Sequence, residues 1–155
     1  MKRLMSVLFI AVLFASCSSD DDNYIPEKSL VGAWTLVELN AENPKDFNND
    51  GTADANIINE IPCIKGNASF TADGNYLITL SKVEGEVINE IEVFNCNGDI
   101  VNSGTYVLNG DQLTTTTNEP EPETSVTTID LNGNTISVSI PAGDLGTVEF
   151  VMKKN

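Results

Sequence analysis

Short runs in which apolar and polar residues alternate fill the chain from residue 30 to its end. The first, Leu30–Leu39 (LVGAWTLVEL), is rich in Val, Leu, Thr and Trp and lacks Pro, the make-up of a pleated, largely buried strand. It holds the only tryptophan, Trp34. Phe70 ends a second run, and Tyr76, Ile78 and Leu80 share a face in the next. Val87–Phe94 is expected as a strand, with Ile91 and Val93 on one face before Cys96. Tyr106 and Leu108 precede Asn109-Gly110, and Leu113 opens a Thr-rich run after it. Ile129 and Leu131 face Ile136, Val138 and Ile140 across Asn132-Gly133, and Val148, Phe150 and Met152 close the chain. Asp73-Gly74, Asn97-Gly98, Asn109-Gly110 and Asn132-Gly133 supply the positive φ angles that tight hairpin turns need. Nothing after residue 20 repeats apolar residues at helical spacing for three turns, so little helix is expected.

This pattern predicts an all-β domain over residues 30–155 with about eight or nine strands in simple succession. A meander of that length either closes or leaves exposed edges. An up-and-down antiparallel β-barrel of about eight strands removes the edges, and its interior is wide enough for side chains or one small ligand. A β-sandwich is the alternative. Glu119-Pro-Glu-Pro-Glu123 places two prolines among acids and reads as a projecting loop.

Ahead of the domain the pattern changes. Residues 1–16 carry a basic start (Lys2, Arg3) and an apolar run, Leu4–Phe14, too short to span a bilayer, followed by Ala15 and Ser16. This is the layout of a secretory signal peptide. Phe14-Ala15-Ser16-Cys17 resembles the bacterial lipoprotein cleavage box, with Phe14 where Leu is usual. The resemblance implies that Cys17 becomes the mature N-terminus and carries acyl chains such as palmitate. Burial of each CH₂ contributes about 0.8 kcal/mol, so two or more chains hold a protein on a membrane stably. Residues 17–29 then form an acidic, polar tether. Its Asp20-Asp21-Asp22 resembles the export tag of Bacteroidetes lipoproteins bound for the outer face of the outer membrane; a merely solvated linker is the other reading. The expected location is the outer membrane, lipid-anchored, on its cell-surface or its periplasmic face.

Charge narrows the partners. The 155 residues carry a formal charge of −15. Without Lys2 and Arg3, six Lys stand against 23 acids, a balance of −17. Such a chain repels phosphate backbones, which argues against nucleic acid.

Gly32-Ala33-Trp34 matches the lipocalin G-x-W pattern. Together with the D-x-N-x-D-G segment after the first strand, a later cysteine pair and the closing Lys153-Lys154, it resembles the lipocalin-like domain of Bacteroidetes lipoproteins over Leu30 to Lys154. The mature chain has no Arg to stack on the indole, a place that Lys153 or Lys154 could take by a cation–π contact. The resemblance implies a binding module for an unknown small apolar or amphipathic ligand. The inward set Trp34, Phe70, Tyr76, Ile78, Tyr106, Ile136, Val138 and Phe150 is the candidate lining, or else only fills the core. The second reading is a structural or accessory cell-surface lipoprotein acting through protein–protein contacts.

Three further features carry chemistry. Cys63 and Cys96, an even pair in an exported chain, are expected to form one disulfide; two Cys and no His cannot fill a zinc shell. Asp46, Asn48, Asp50, Thr52 and Asp54 fall at alternate positions around Gly51, as in a calcium loop, but Ile57 stands where the bidentate acid belongs. Glu60 could supply that carboxylate; an ion-free Asx-rich turn is the other reading. Without His, the Ser-His and Cys-His arrangements of nucleophilic catalysis are missing and no carboxylate pair stands out, so no enzyme is expected.

Overall fold

The computed structural model describes residues 29–118 and 120–155. The expected leader, the lipidation site Cys17 and all of the tether but Ser29 lie outside the described residues, as does Glu119.

Nine strands follow one another: β1 Gly32–Ala41, β2 Gly66–Phe70, β3 Asn75–Ile88, β4 Ile91–Asn109, β5 Gln112–Thr117, β6 Thr124–Thr128, β7 Asp130–Asn132, β8 Thr135–Pro141 and β9 Thr147–Lys154. Among the described residues, helix is confined to a single turn, α1 (Ile57–Glu60), and a 3-10 turn over Gly143–Leu145. The strands make one sheet in the order β6-β5-β4-β3-β2-β1-β9-β8-β7, so every consecutive pair except β6 and β7 lies side by side and the first strand also lies beside the last. All pairings are antiparallel. Only Ile129 separates β6 from β7, so one bent segment gives its first half to β5 and its second to β8. Counting that segment once leaves eight staves in a nearly closed barrel. A single curled sheet sets aside the sandwich alternative.

Alternation puts the apolar residues on the inner face. Trp34 and Leu36 of β1 lie opposite Lys154 and Met152 of β9. A bulge then adds Val37, after which Leu39 and Ala41 lie opposite Phe150 and Val148. Had the strand run regularly through Val37, with no bulge, the period of two would have turned Leu39 outward. The inner face holds two clusters. Leu30, Trp34, Ala68, Phe70, Tyr76, Ile129, Leu131 and Ile136 seal one end. Ala41, Ile57, Ile61 and Val148, with Phe47, Phe94 and Phe150 against them, form the other, where α1 and the segment after β1 lie across the opening.

Two expectations need correction. Asn97-Gly98 is not a hairpin turn; it lies inside β4, in an irregular step of register opposite Ser81–Val83. Val87–Phe94 is not one strand but the tip of the β3–β4 hairpin, whose reversal is at Asn89 and Glu90, with φ of 53° and 69°. Both central residues thus have the positive φ of a I′ turn. The hairpin therefore runs on past β2 and β5 as an arm bearing exposed Val87, Ile88 and Ile91.

Ile129 is 2% exposed and sits where the two ladders meet, whereas Val126, three residues earlier, points outward and is 61% exposed. Ile129→Ala should cost about 2–4 kcal/mol in urea unfolding, the range for truncating a buried Ile. Val126→Ala should cost less than about 0.5 kcal/mol.

Candidate functional site

The sealed end is built around the indole. Trp34 is fully buried, and its Nε1–H donates to the Leu30 carbonyl at 2.8 Å. Lys154, directly across the ladder, places its Nζ 5.2 Å from the ring centroid. Of the two closing lysines, either of which could have made the expected cation–π contact, it is Lys154 that lies over the indole. Gly32 makes room for it: with φ at +138°, an added Cβ would come 2.6 Å from Lys154 Cε. Phe70 meets Tyr106 edge-on at 5.0 Å and lies 6.5 Å from Tyr76.

Seven of the candidate lining residues, Trp34, Phe70, Tyr76, Ile78, Tyr106, Ile136 and Val138, belong to this cluster. The eighth, Phe150, packs at the other end. Trp34, Phe70, Tyr76 and Ile136 are buried and form a floor, while Ile78, Tyr106 and Val138 are half-buried above it.

Above the floor the wall changes character. Pairing puts Asn102 and Ile100 of β4 on the same inner face as Ile78 and Leu80 of β3. Thr115 and Thr117 of β5 share that face, opposite Tyr106 and Gly104. The Tyr76 hydroxyl donates to Asn102 Oδ1. Burial raises the Tyr76 hydroxyl pKa, partly offset by a hydrogen bond with Thr115. A small polar group thus sits on the inner face next to the apolar floor, with Asn102 itself exposed. Burial, then the charge of Asp73, likewise raises the Tyr106 phenol, whose hydroxyl donates to the Thr71 carbonyl at 2.9 Å. Further up, Ile100 and Ile140 face inward yet are 55% and 40% exposed. Inner-face side chains that open to solvent mark a mouth.

The rim is held by polar contacts. Glu60, 4% exposed, accepts from the N–H groups of Phe47 (3.0 Å), Asn48 (3.3 Å) and Asp54 (2.7 Å), so one buried carboxylate ties the loop to α1. In that loop Asp46 accepts from the Asp50 and Gly51 N–H groups, Asn48 from Asp50, and Asp50 from Thr52. Asp54 accepts from the Asn56 N–H and the Asn59 amide, contacts that hold its carboxyl below the usual carboxylate range, the Asn59 bond most of all. Among the described residues, no three His, Cys, Asp or Glu side chains are disposed to hold a metal ion.

Cys63 and Cys96 form a disulfide, Cα–Cα 5.8 Å, fastening this segment to the β3–β4 arm. Phe47 and Phe94 meet edge-on at 5.1 Å. Clefts of about 450 and 610 Å³ run along the two sides of this pair. Lys45 and Asp144, both exposed, face each other at 3.4 Å beside the smaller one.

Sequence reasoning overlooked Asn102 and Thr115. Their inward direction follows from register with Ile78 and Tyr106, which alternation alone does not give. It singled out Glu60 as a carboxylate that could serve an ion, and the structure shows that side chain accepting from three backbone N–H groups.

No family model matches the chain, and no curated protein matches it. Among solved structures, it is similar to fatty-acid-binding protein 1 of Echinococcus granulosus, with 10% identity and a TM-score of 0.35 over 81% of this chain and 96% of that one. The barrel is read from its own ladder of strand pairs, not from that likeness.

Two outcomes follow at the rim. Glu60→Ala strands three N–H groups and should cost about 3–5 kcal/mol in chemical denaturation. Reducing Cys63–Cys96, which spans 33 residues of sequence, should cost about 3–4 kcal/mol in the chain-entropy model, read as a lower melting temperature with dithiothreitol.

Proposed function

We propose that this chain is an exported lipoprotein, anchored through acyl chains on Cys17, whose barrel binds a small apolar or amphipathic molecule. The observation that carries the reading is the exposure of Ile100 and Ile140 on the inner face above a sealed floor. Apolar side chains turned into a barrel and left wet gain about 25 cal/mol for each Å² that a ligand covers. The basic start, short apolar run and Cys17 support the anchor, and a location at the outer membrane belongs to the same reading. No catalytic role is part of it.

A second reading, an accessory protein acting through surface contacts, draws on the arm. Val87 is 73% exposed there, with Ile88 and Ile91 beside it. Exposed apolar residues grouped on one projecting element suit a protein partner. Calcium at Asp46, Asn48, Asp50, Thr52 and Asp54 is a subsidiary proposal, and an ion there would share oxygens that already accept N–H groups.

Native mass spectrometry of the chain extracted from its host membrane tests these readings together. The expected spectrum shows acyl chains on a protein beginning at residue 17 and a non-covalent small-molecule adduct. A chain that carries no adduct and also fails to enhance an apolar fluorescent probe overturns the binding role. An unmodified Cys17 overturns the anchor, and a calcium mass shift decides the loop.

A further inference from the structure

We infer that the barrel takes a neutral amphiphile, an alkyl chain with an uncharged hydroxyl- or ester-bearing head, and discriminates against the ionised fatty acid of the same length. The inference rests on the binding role proposed above and concerns only the head group.

The first support is the set of cations. Five Lys lie among the described residues, and none is placed on the inner wall above the floor. Lys45 lies on the rim beside Asp144, and Lys82 pairs with Glu84 on the arm at 2.6 Å. Lys65 and Lys153 are exposed, and Lys153 alternates out of phase with Met152. Lys154 is on the inner face but lies against Trp34 and Gly32 at the sealed end. A carboxylate drawn into the barrel would meet no counter-ion, and an unpaired buried charge is far costlier than an unpaired hydroxyl. The field of a mature chain with a balance of −17, six Lys against 23 acids, opposes anions further.

The second support is what the wall does offer. Tyr76, Asn102 and Thr115 place a phenol, an amide and a hydroxyl together above the floor, with Thr117 next along the same face. The Asn102 amide leaves donor N–H groups while its oxygen serves Tyr76. Hydroxyls and amides both donate and accept, which matches a hydroxyl or ester head. Acids give an ammonium head no partner beside this group: Glu38 and Glu149 alternate outward on β1 and β9, Glu60 is taken up by three N–H groups, and Glu92 lies out at the rim clefts with Phe94.

The test uses the mature chain from residue 17, produced without acyl chains, and four ligands of one chain length: hexadecanol, 1-monopalmitoylglycerol, hexadecanoate and hexadecylamine. Affinity is read at pH 8 by displacement of an apolar fluorescent probe. The two neutral ligands are expected to bind at least about tenfold more tightly than hexadecanoate, given the cost of an unpaired buried charge. Asn102→Leu and Thr115→Val should each weaken monopalmitoylglycerol by roughly fivefold, one neutral hydrogen bond, while the apolar probe binds as before. Unchanged melting curves confirm that both variants fold. Hexadecanoate or hexadecylamine binding as tightly as the alcohol overturns the head-group inference and leaves the binding role standing. Failure of all four ligands and of the probe overturns both.

Discussion

The buried indole of Trp34, closed in between the Leu30 carbonyl and the Lys154 ammonium, is the contact on which the barrel depends. An aromatic of this size removes some 150–250 Å² from water, about 4–6 kcal/mol at 25 cal/mol per Å². The cation over its face adds about 0.5–2 kcal/mol. Apolar burial therefore dominates, and the lysine chiefly fixes geometry. Trp34 on β1 and Lys154 on β9 are directly paired, so one contact seals the end of the barrel and sets the register between the first strand and the last. On its other side β1 pairs with β2, which sets Gly32 directly opposite Phe70.

The two ends of the barrel are held by different physics. At the floor, apolar side chains from both halves of the chain share one cluster. At the rim, a small apolar group is supplemented by a disulfide and by one carboxylate serving three backbone donors. A chain with 6% aromatics has few large side chains to spend on a second plug. Local hydrogen bonds and a covalent link substitute for them, and Ile100 and Ile140 of the inner face stay exposed.

Much of this architecture was legible in the chain. Period-two alternation identified the strands, and the G-x-W segment identified the residue at the sealed end. The pairing of Cys63 with Cys96 followed from their number and from an expected, not shown, oxidising compartment. What escaped was tertiary. Asn97-Gly98 has the composition of a hairpin turn but sits within β4, because the reversal had already occurred at Asn89 and Glu90; a Glu with positive φ leaves no cue in a sequence. Phe150 was grouped with the floor residues, yet β9 runs from the rim to the floor, so Val148 and Phe150 serve one end and Met152 the other. Asn102 reads as a loop-former until its partner across the ladder is known to be Ile78.

The supernumerary residue in β1 carries a consequence for comparing this chain with others. Leu36 and Leu39 are three apart and still point the same way because Val37 is accommodated by the bulge. Deleting Val37 would remove the bulge and leave Leu36, Glu38 and Leu39 in plain alternation with Leu39 and Ala41 still inward, whereas a deletion further along the strand would turn the apolar residues beyond it to water. A descendant lacking Val37 can therefore keep the same pattern after Leu36, as one that has lost a later residue of the strand cannot, and the turns at Gly110 and Gly133, with open space around them, tolerate length variation cheaply as well.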